Sequence, residues 1–178
     1  QAFHGYFFAA AYLLWQVLVA EIGPQWEAAA SALEAAILIL LGLSWRDRAL
    51  RLVGGGALIG SALYVIALGL FYEQQRWSAW HMESAATVTA LVFGLSWCYK
   101  RLPSPPHFEA EAVFHPGFIG LGTLLLTVIL WTEVHSRWLS VAWGIEGLIL
   151  VAAGFLQQDK PLRIAGLAVF ALLVVKIL

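Results

Sequence analysis

SALEAAILILLGLSWRDRALRLVGGGALIG, residues 31 to 60, decides how the chain is built. An apolar run ends in the short basic turn around Arg46, Asp47 and Arg48, and a second apolar run begins at once. Crossing a bilayer as a helix takes about 20 apolar residues. Hydrocarbon offers the backbone no water, so each crossing segment must satisfy its own hydrogen bonds, which a helix does. The stretch therefore predicts a transmembrane helical hairpin. One residue is out of place: Glu34 lies between Trp26 and Trp45, where no Lys, Arg or His balances it.

The rest of the chain extends the pattern. At 61% hydrophobic and 12% charged residues over 178 positions, with mean hydropathy +0.81, the composition is that of an integral membrane protein. About seven apolar runs are separated by short polar punctuation, near Gly5 to Ile22, Glu27 to Trp45, Ala49 to Phe71, Ala79 to Tyr99, Gly117 to Val134, Leu139 to Leu156 and Leu162 to Leu178. The expected fold is all-α, a polytopic transmembrane bundle of about seven spanning helices forming a single domain over 1–178. Arg46, Arg48, Arg51, Lys100, Arg101, Lys160 and Arg163 fall on one side of such a bundle, against Arg76, Arg137 and Lys176 on the other. The positive-inside rule then puts the N-terminus in the cytoplasm of a bacterial inner membrane. A net charge of -1 with no basic patch excludes nucleic acid as a partner, leaving the lipid bilayer and other membrane proteins. The lone Cys98 rules out an intramolecular disulfide. The chain starts QAFHGYFF, without an initiator Met or a basic leader, and runs apolar to Leu178, as expected of a processed chain or a fragment.

A shift of 112 residues, without a gap, superimposes Glu21 on Glu133, Trp26 on Trp138, Glu34 on Glu146 and Gly42 on Gly154. It continues with Asp47 on Asp159, Arg51 on Arg163 and Gly54 on Gly166. Four crossings restore the original direction, so the copies are expected to be parallel repeats about an axis along the membrane normal. Repeat one covers approximately 5–71 and repeat two approximately 117–178, with an extra helix and a cytoplasmic connector between them over approximately 72–116.

The repeated residues separate by chemistry. Asp47 and Asp159 stand at helix starts and are expected to cap them, with Arg51 and Arg163 four residues on pairing with the Asp or snorkelling to headgroups. Arg46, Arg48, Arg51, Lys160 and Arg163 together form a weak candidate headgroup or anion contact. Gly54 to Gly56 and Gly60 give one helix a small-residue face, including a GxxxG at Gly56 and Gly60, expected to pack closely on a neighbour. Glu21, Glu133, His135 and His81 form a weak polar cluster on the outer face. Its residue types suit zinc, but its spacing is not diagnostic, and no metal is expected. His107, Glu109, Glu111 and His115 lie in the Pro-rich connector KRLPSPPHFEAEAVFHP, residues 100 to 116, expected to be an ordered linker and a docking loop.

Glu34 and Glu146 are the principal candidates. Each follows its tryptophan by eight residues, about 12 Å of helix, well inside the hydrocarbon. A charge there costs several kcal/mol, and ionisable residues at that depth usually face a protein interior or a cavity. A proton or solute site is one reading. A structural hydrogen bond to Ser31, Trp143 or a backbone carbonyl is the other.

The pattern W-x7-E-x7-G-x4-D-x3-R-x2-G, read from Trp26 to Gly54 and again from Trp138 to Gly166, resembles the bacterial multi-pass membrane proteins of domain-of-unknown-function family 2339. The resemblance covers most of the chain outside residues 72 to 118. It implies a longer repeat architecture in the inner membrane, of which this chain is a fragment or short relative, and no catalytic residues. The function expected from the residues is a transport or proton-coupled membrane module using Glu34 and Glu146. The alternative is a non-catalytic structural subunit or scaffold. An intramembrane enzyme acting on envelope lipid or glycan is less favoured, since no H-E-x-x-H, G-x-S-x-G or phosphate-binding glycine loop appears. No haem or other cofactor is expected, as no C-x-x-C-H occurs and no histidine lies deep in a run.

Overall fold

The computed structural model of the protein describes residues 13, 16–17, 21, 23, 26–71, 79–101 and 113–178. Among them the chain is all-helical, with six helices and no strand. They are α1 (Glu27–Ser44), α2 (Arg48–Phe71), α3 (Ala79–Arg101), α4 (Phe114–Glu133), α5 (Ser136–Leu156) and α6 (Lys160–Ile177). The predicted first span, Gly5 to Ile22, lies largely outside the described residues, as do His107, Glu109 and Glu111 of the connector.

Among the described residues, four segments are long and apolar enough to cross a membrane: Glu27–Ser44, Arg48–Leu70, Phe114–Glu133 and Ser136–Leu156. Their outward faces are apolar too, with Leu33, Ile37 and Leu40 exposed on α1 and Ile145, Leu148 and Ile149 on α5. Such faces are matched to lipid or to neighbouring helices rather than to water. α3 and α6 coincide with two predicted spans but fall outside this set. α3 carries Glu83, Lys100 and Arg101 among several hydroxyl residues, and α6 has three basic residues in 18.

The described residues form two compact units. One holds α1, α2 through Val65 and α3 through Leu91; the other holds α2 from Ile66, α3 from Val92, and α4 to α6. In the second, Leu139, Trp143, Leu150 and Val169 make a buried cluster against which Phe93, Leu130, Val134, Leu162 and Leu173 pack. Tyr99 of α3 meets Phe114 and Phe118 of α4 at ring separations of 5.6 and 5.9 Å, which fastens the end of α3 to the start of α4.

Each unit contains a helical hairpin closed in the same way. At the end of α1, Arg46 N–H donates to Leu43 O at 3.4 Å and Asp47 N–H to Gly42 O at 2.9 Å, with Arg46 at φ 55°. At the end of α5, Gln158 N–H donates to Phe155 O at 3.2 Å and Asp159 N–H to Gly154 O at 2.8 Å, with Gln158 at φ 52°. This is a Schellman closure, which usually places Gly at the left-handed position. A Cβ there costs roughly 1–2 kcal/mol. Arg46→Gly and Gln158→Gly should therefore each stabilise the protein, by about 1 kcal/mol after the extra entropy of an unfolded glycine is subtracted. Thermal unfolding in detergent micelles checks this; midpoints that do not rise would mean the turns are unstrained.

Glycines bring the paired helices together. A Cβ on Gly54 would lie 2.8 Å from Ala35 O and from Ile39 Cγ1 of α1. On Gly166 it would lie 2.7 Å from Val151 Cγ2 and 2.8 Å from Gly147 O of α5. Gly42 and Gly154 make room for the Cγ of Arg51 and Arg163, 2.7 and 2.6 Å from where their Cβ atoms would be. The packing face expected at Gly56 and Gly60 is not used among the described residues, for a Cβ at either meets nothing within 4 Å. Gly54 lies on the face of α2 that meets α1, whereas Gly56 and Gly60 lie off it.

Candidate functional site

Glu146 is buried at 4% exposure on α5, although α5 is one of the four described segments long and apolar enough to cross a membrane. The Thr127 hydroxyl of α4 reaches both of its carboxyl oxygens, at 3.1 and 3.3 Å. Thr127 is positioned in turn by Trp143, whose indole N–H donates to the Thr127 carbonyl at 3.3 Å. The expected partners are used differently. Trp143 acts one residue removed, and Ser31 accepts from Ser61 at 2.9 Å in the other unit. Glu34 is only half-buried, so the two repeated acids occupy unlike surroundings.

Glu146 lines a cavity of about 330 Å³ in the second unit. Phe93, Trp97, Ile119, Leu126, Ile149, Leu150, Ala153 and Leu162 make most of its wall, with Ser96, Lys100, His115, Gln157 and Asp159 as the other polar lining. From Glu146, α5 runs on for ten residues to Leu156, about 15 Å of helix. Just past that end sits an ion cluster. One Asp159 oxygen lies 2.9 Å from Lys100 Nζ and 3.0 Å from His115 Nε2. Lys100 also donates to Gln157 O at 2.8 Å, and His115 Nδ1 lies 2.9 Å from Ser96 O. A carbonyl can only accept, so a proton on Nδ1 completes that contact.

Asp159 is itself 3% exposed. Burial opposes its charge, but the hydrogen bond from Lys100 and the neighbouring His115 and Lys100 charges outweigh burial and hold its carboxyl below the usual range. The expected capping role therefore fails at Asp159, whose side chain makes no cap hydrogen bond, while Asp47 caps as expected through Ala49 N–H at 2.8 Å. The sequence supplies the reason. Ala49 corresponds to Pro161 under the 112-residue shift, and proline has no N–H to offer. The carboxylate is turned to Lys100 and His115 instead.

The remaining candidates are dispersed. Arg51, expected at a headgroup, is 4% exposed and donates to Gly42 O at 3.0 Å within its hairpin. Arg163 donates to Asp159 O at 3.4 Å, a main-chain acceptor and not the carboxylate, and lies 5.1 Å from the Phe155 ring centre. Arg46, Arg48 and Lys160 are exposed, as are Glu21, Glu133 and His135. The His81 side chain lies outside the described residues. Among the described residues no three His, Cys, Asp or Glu side chains converge as a metal site. Nothing in the spacing of Thr127, Lys100 and His115 joins them into one site. Pro161 at the position of Ala49 was the available signal.

Comparison of the chain with protein-family models, with curated proteins and with solved structures yields no match.

Proposed function

We propose that the protein is a proton-coupled transport module of a bacterial inner membrane in which Glu146 takes up and releases the coupling proton. The observation that carries this reading is a buried carboxyl at the wall of a cavity that is also lined by the Lys100, His115 and Asp159 cluster. A carboxyl at membrane depth is expensive to retain, which favours a working role. In the same reading the full bundle has seven spans and two parallel repeats, with Glu34 as the corresponding acid of the first. The closures at Arg46 and Gln158 and the glycine contacts at Gly54 and Gly166 support the repeat, since every one of these positions recurs after 112 residues. The connectors holding Arg46, Lys100 and Lys160 face the cytoplasm, and the cavity leads from Glu146 toward that side. The resemblance to family 2339 fits this placement.

Reconstitution into liposomes with a pH-sensitive dye tests the proposal. Glu146→Gln should abolish a proton-linked flux at unchanged protein folding. Wild-type flux in the Glu34→Gln, Glu146→Gln double variant would remove the coupling role. A second reading, a scaffold subunit of a membrane complex, draws support from the broad apolar faces of α1 and α5. Purification within a larger assembly that tolerates Glu146→Gln would favour it.

A further inference from the structure

We infer that the cavity beside Glu146 binds a lipophilic organic monocation. Its role as cargo rests on the proton-coupled reading above, but its binding does not. The argument is one of charge and solvation. Lys100 and Asp159 face one another at 2.9 Å, so their charges are matched within the cluster, and His115 shares the same Asp159 oxygen. Glu146 differs: its carboxyl accepts from the neutral Thr127 hydroxyl, at 3.1 and 3.3 Å. Beside Glu146 the charge a ligand meets is therefore negative, whereas Lys100 and His115 lie at the Asp159 end of the cavity.

The walls decide the rest of the ligand. Phe93, Trp97, Ile149 and Leu150 present apolar and aromatic surface, which desolvates whatever enters. Beside Glu146 a small hydrated metal ion would find too few oxygen ligands among apolar walls to replace its water, and an anion there would be repelled by the carboxylate. A cation with a large apolar body keeps little hydration to lose and is attracted by aromatic faces as well as by the carboxylate. At about 330 Å³ the cavity is at the small end of the range for small-molecule sites, roughly 300–1,000 Å³. A single organic cation fits that volume, with its charge toward α5 and its body against α3.

Benzyltrimethylammonium is a suitable probe, titrated calorimetrically into the full chain in nanodiscs of neutral lipid, with benzenesulfonate as an anion of similar size. Saturable binding of the cation is expected, weakened about tenfold or more by Glu146→Gln and retained by Glu146→Asp, with no competition from benzenesulfonate. Equal binding by Glu146→Gln, competition by the anion, or no saturable binding of the cation would overturn the inference. Should Glu146→Gln fail to fold, Ala153→Phe fills the cavity from the same helix and must also abolish binding; retained binding there would place the cation elsewhere. The two proposals fail separately. Cation binding without proton flux removes the transport role alone, whereas flux that needs Glu146 without cation binding removes the ligand assignment alone.

Discussion

Gly166→Val is expected to cost about 3 kcal/mol, the upper end of what overpacking a well-fitted interior costs, and Gly54→Val a similar amount. The reason is what the added carbons would strike. At Gly166 the obstacles include Gly147 O at 2.8 Å and Val151 N at 2.9 Å, both main-chain atoms of α5. At Gly54 they include Ala35 O at 2.8 Å and Ile39 N at 3.0 Å, on the backbone of α1. A flexible side chain can rotate away, but a helix backbone moves only if the whole hairpin opens. Lipid offers no hydrophobic force to press the helices back together, so stability there depends on close packing. Gly56→Ala and Gly60→Ala are the controls, for a Cβ meets nothing within 4 Å and alanine is the better helix former by about 1 kcal/mol. Thermal unfolding in micelles should drop for the first pair and hold or rise for the second. If all four variants behaved alike, the hairpin seams would not be where the close contacts place them.

Lys100→Met should cost about 2–3 kcal/mol at neutral pH, at or below the lower edge of the range for breaking a buried pair, because His115 stays on the same Asp159 oxygen. Asp159 has a side-chain exposure of only 2%, against 29% for Lys100, so the acid suffers when the pair is broken. Asp159→Asn should cost less, about 1–2 kcal/mol, because it removes the buried charge and leaves Lys100 within reach of water. The pH dependence has a definite sign. The folded protein holds Asp159 below its ordinary range, so the cluster contributes stability above the unfolded carboxyl's pKa, about 3.9, and loses it as pH falls through the lower folded value. Acid unfolding of the wild type should include a loss of stability below about pH 4 that Asp159→Asn lacks. Identical acid profiles for the two proteins would show that the cluster does not hold Asp159 ionised.

How far these sites were legible in the sequence differs residue by residue. The hairpin turns at Arg46 and Gln158 follow from short polar punctuation between apolar runs, and Asp47 caps α2 as its position suggests. Glu146 was identified by depth alone, which says that a buried acid needs a reason and not which neighbour supplies it. Its neighbour Thr127 lies 19 residues away on another helix, and the position 112 residues before Thr127 is Trp15, so the 112-residue shift gave no hint of a hydroxyl. Gly56 and Gly60 matched a familiar small-residue spacing yet packed against nothing described, because spacing fixes a shared face without saying whether a partner stands opposite it.

By itself the sequence determined that the described chain is helical and where its hairpins turn, and of the about seven spans read from its apolar runs, four among the described residues are long and apolar enough to cross a bilayer. Those outcomes depend on the length of apolar runs and on the local chemistry of their ends, which are properties of neighbours in the chain. Only the tertiary structure decided that Glu146 is enclosed while Glu34 is half-open, and that Asp159 abandons its cap for Lys100 and His115. Lys100 and Asp159 are 59 positions apart, and His115 and Asp159 are 44 apart. Nothing in helical periodicity connects such distant residues. Their meeting is set by which faces of α3, α4 and α5 pack together, and that packing gives Glu34 and Glu146, 112 residues apart, chemically different surroundings.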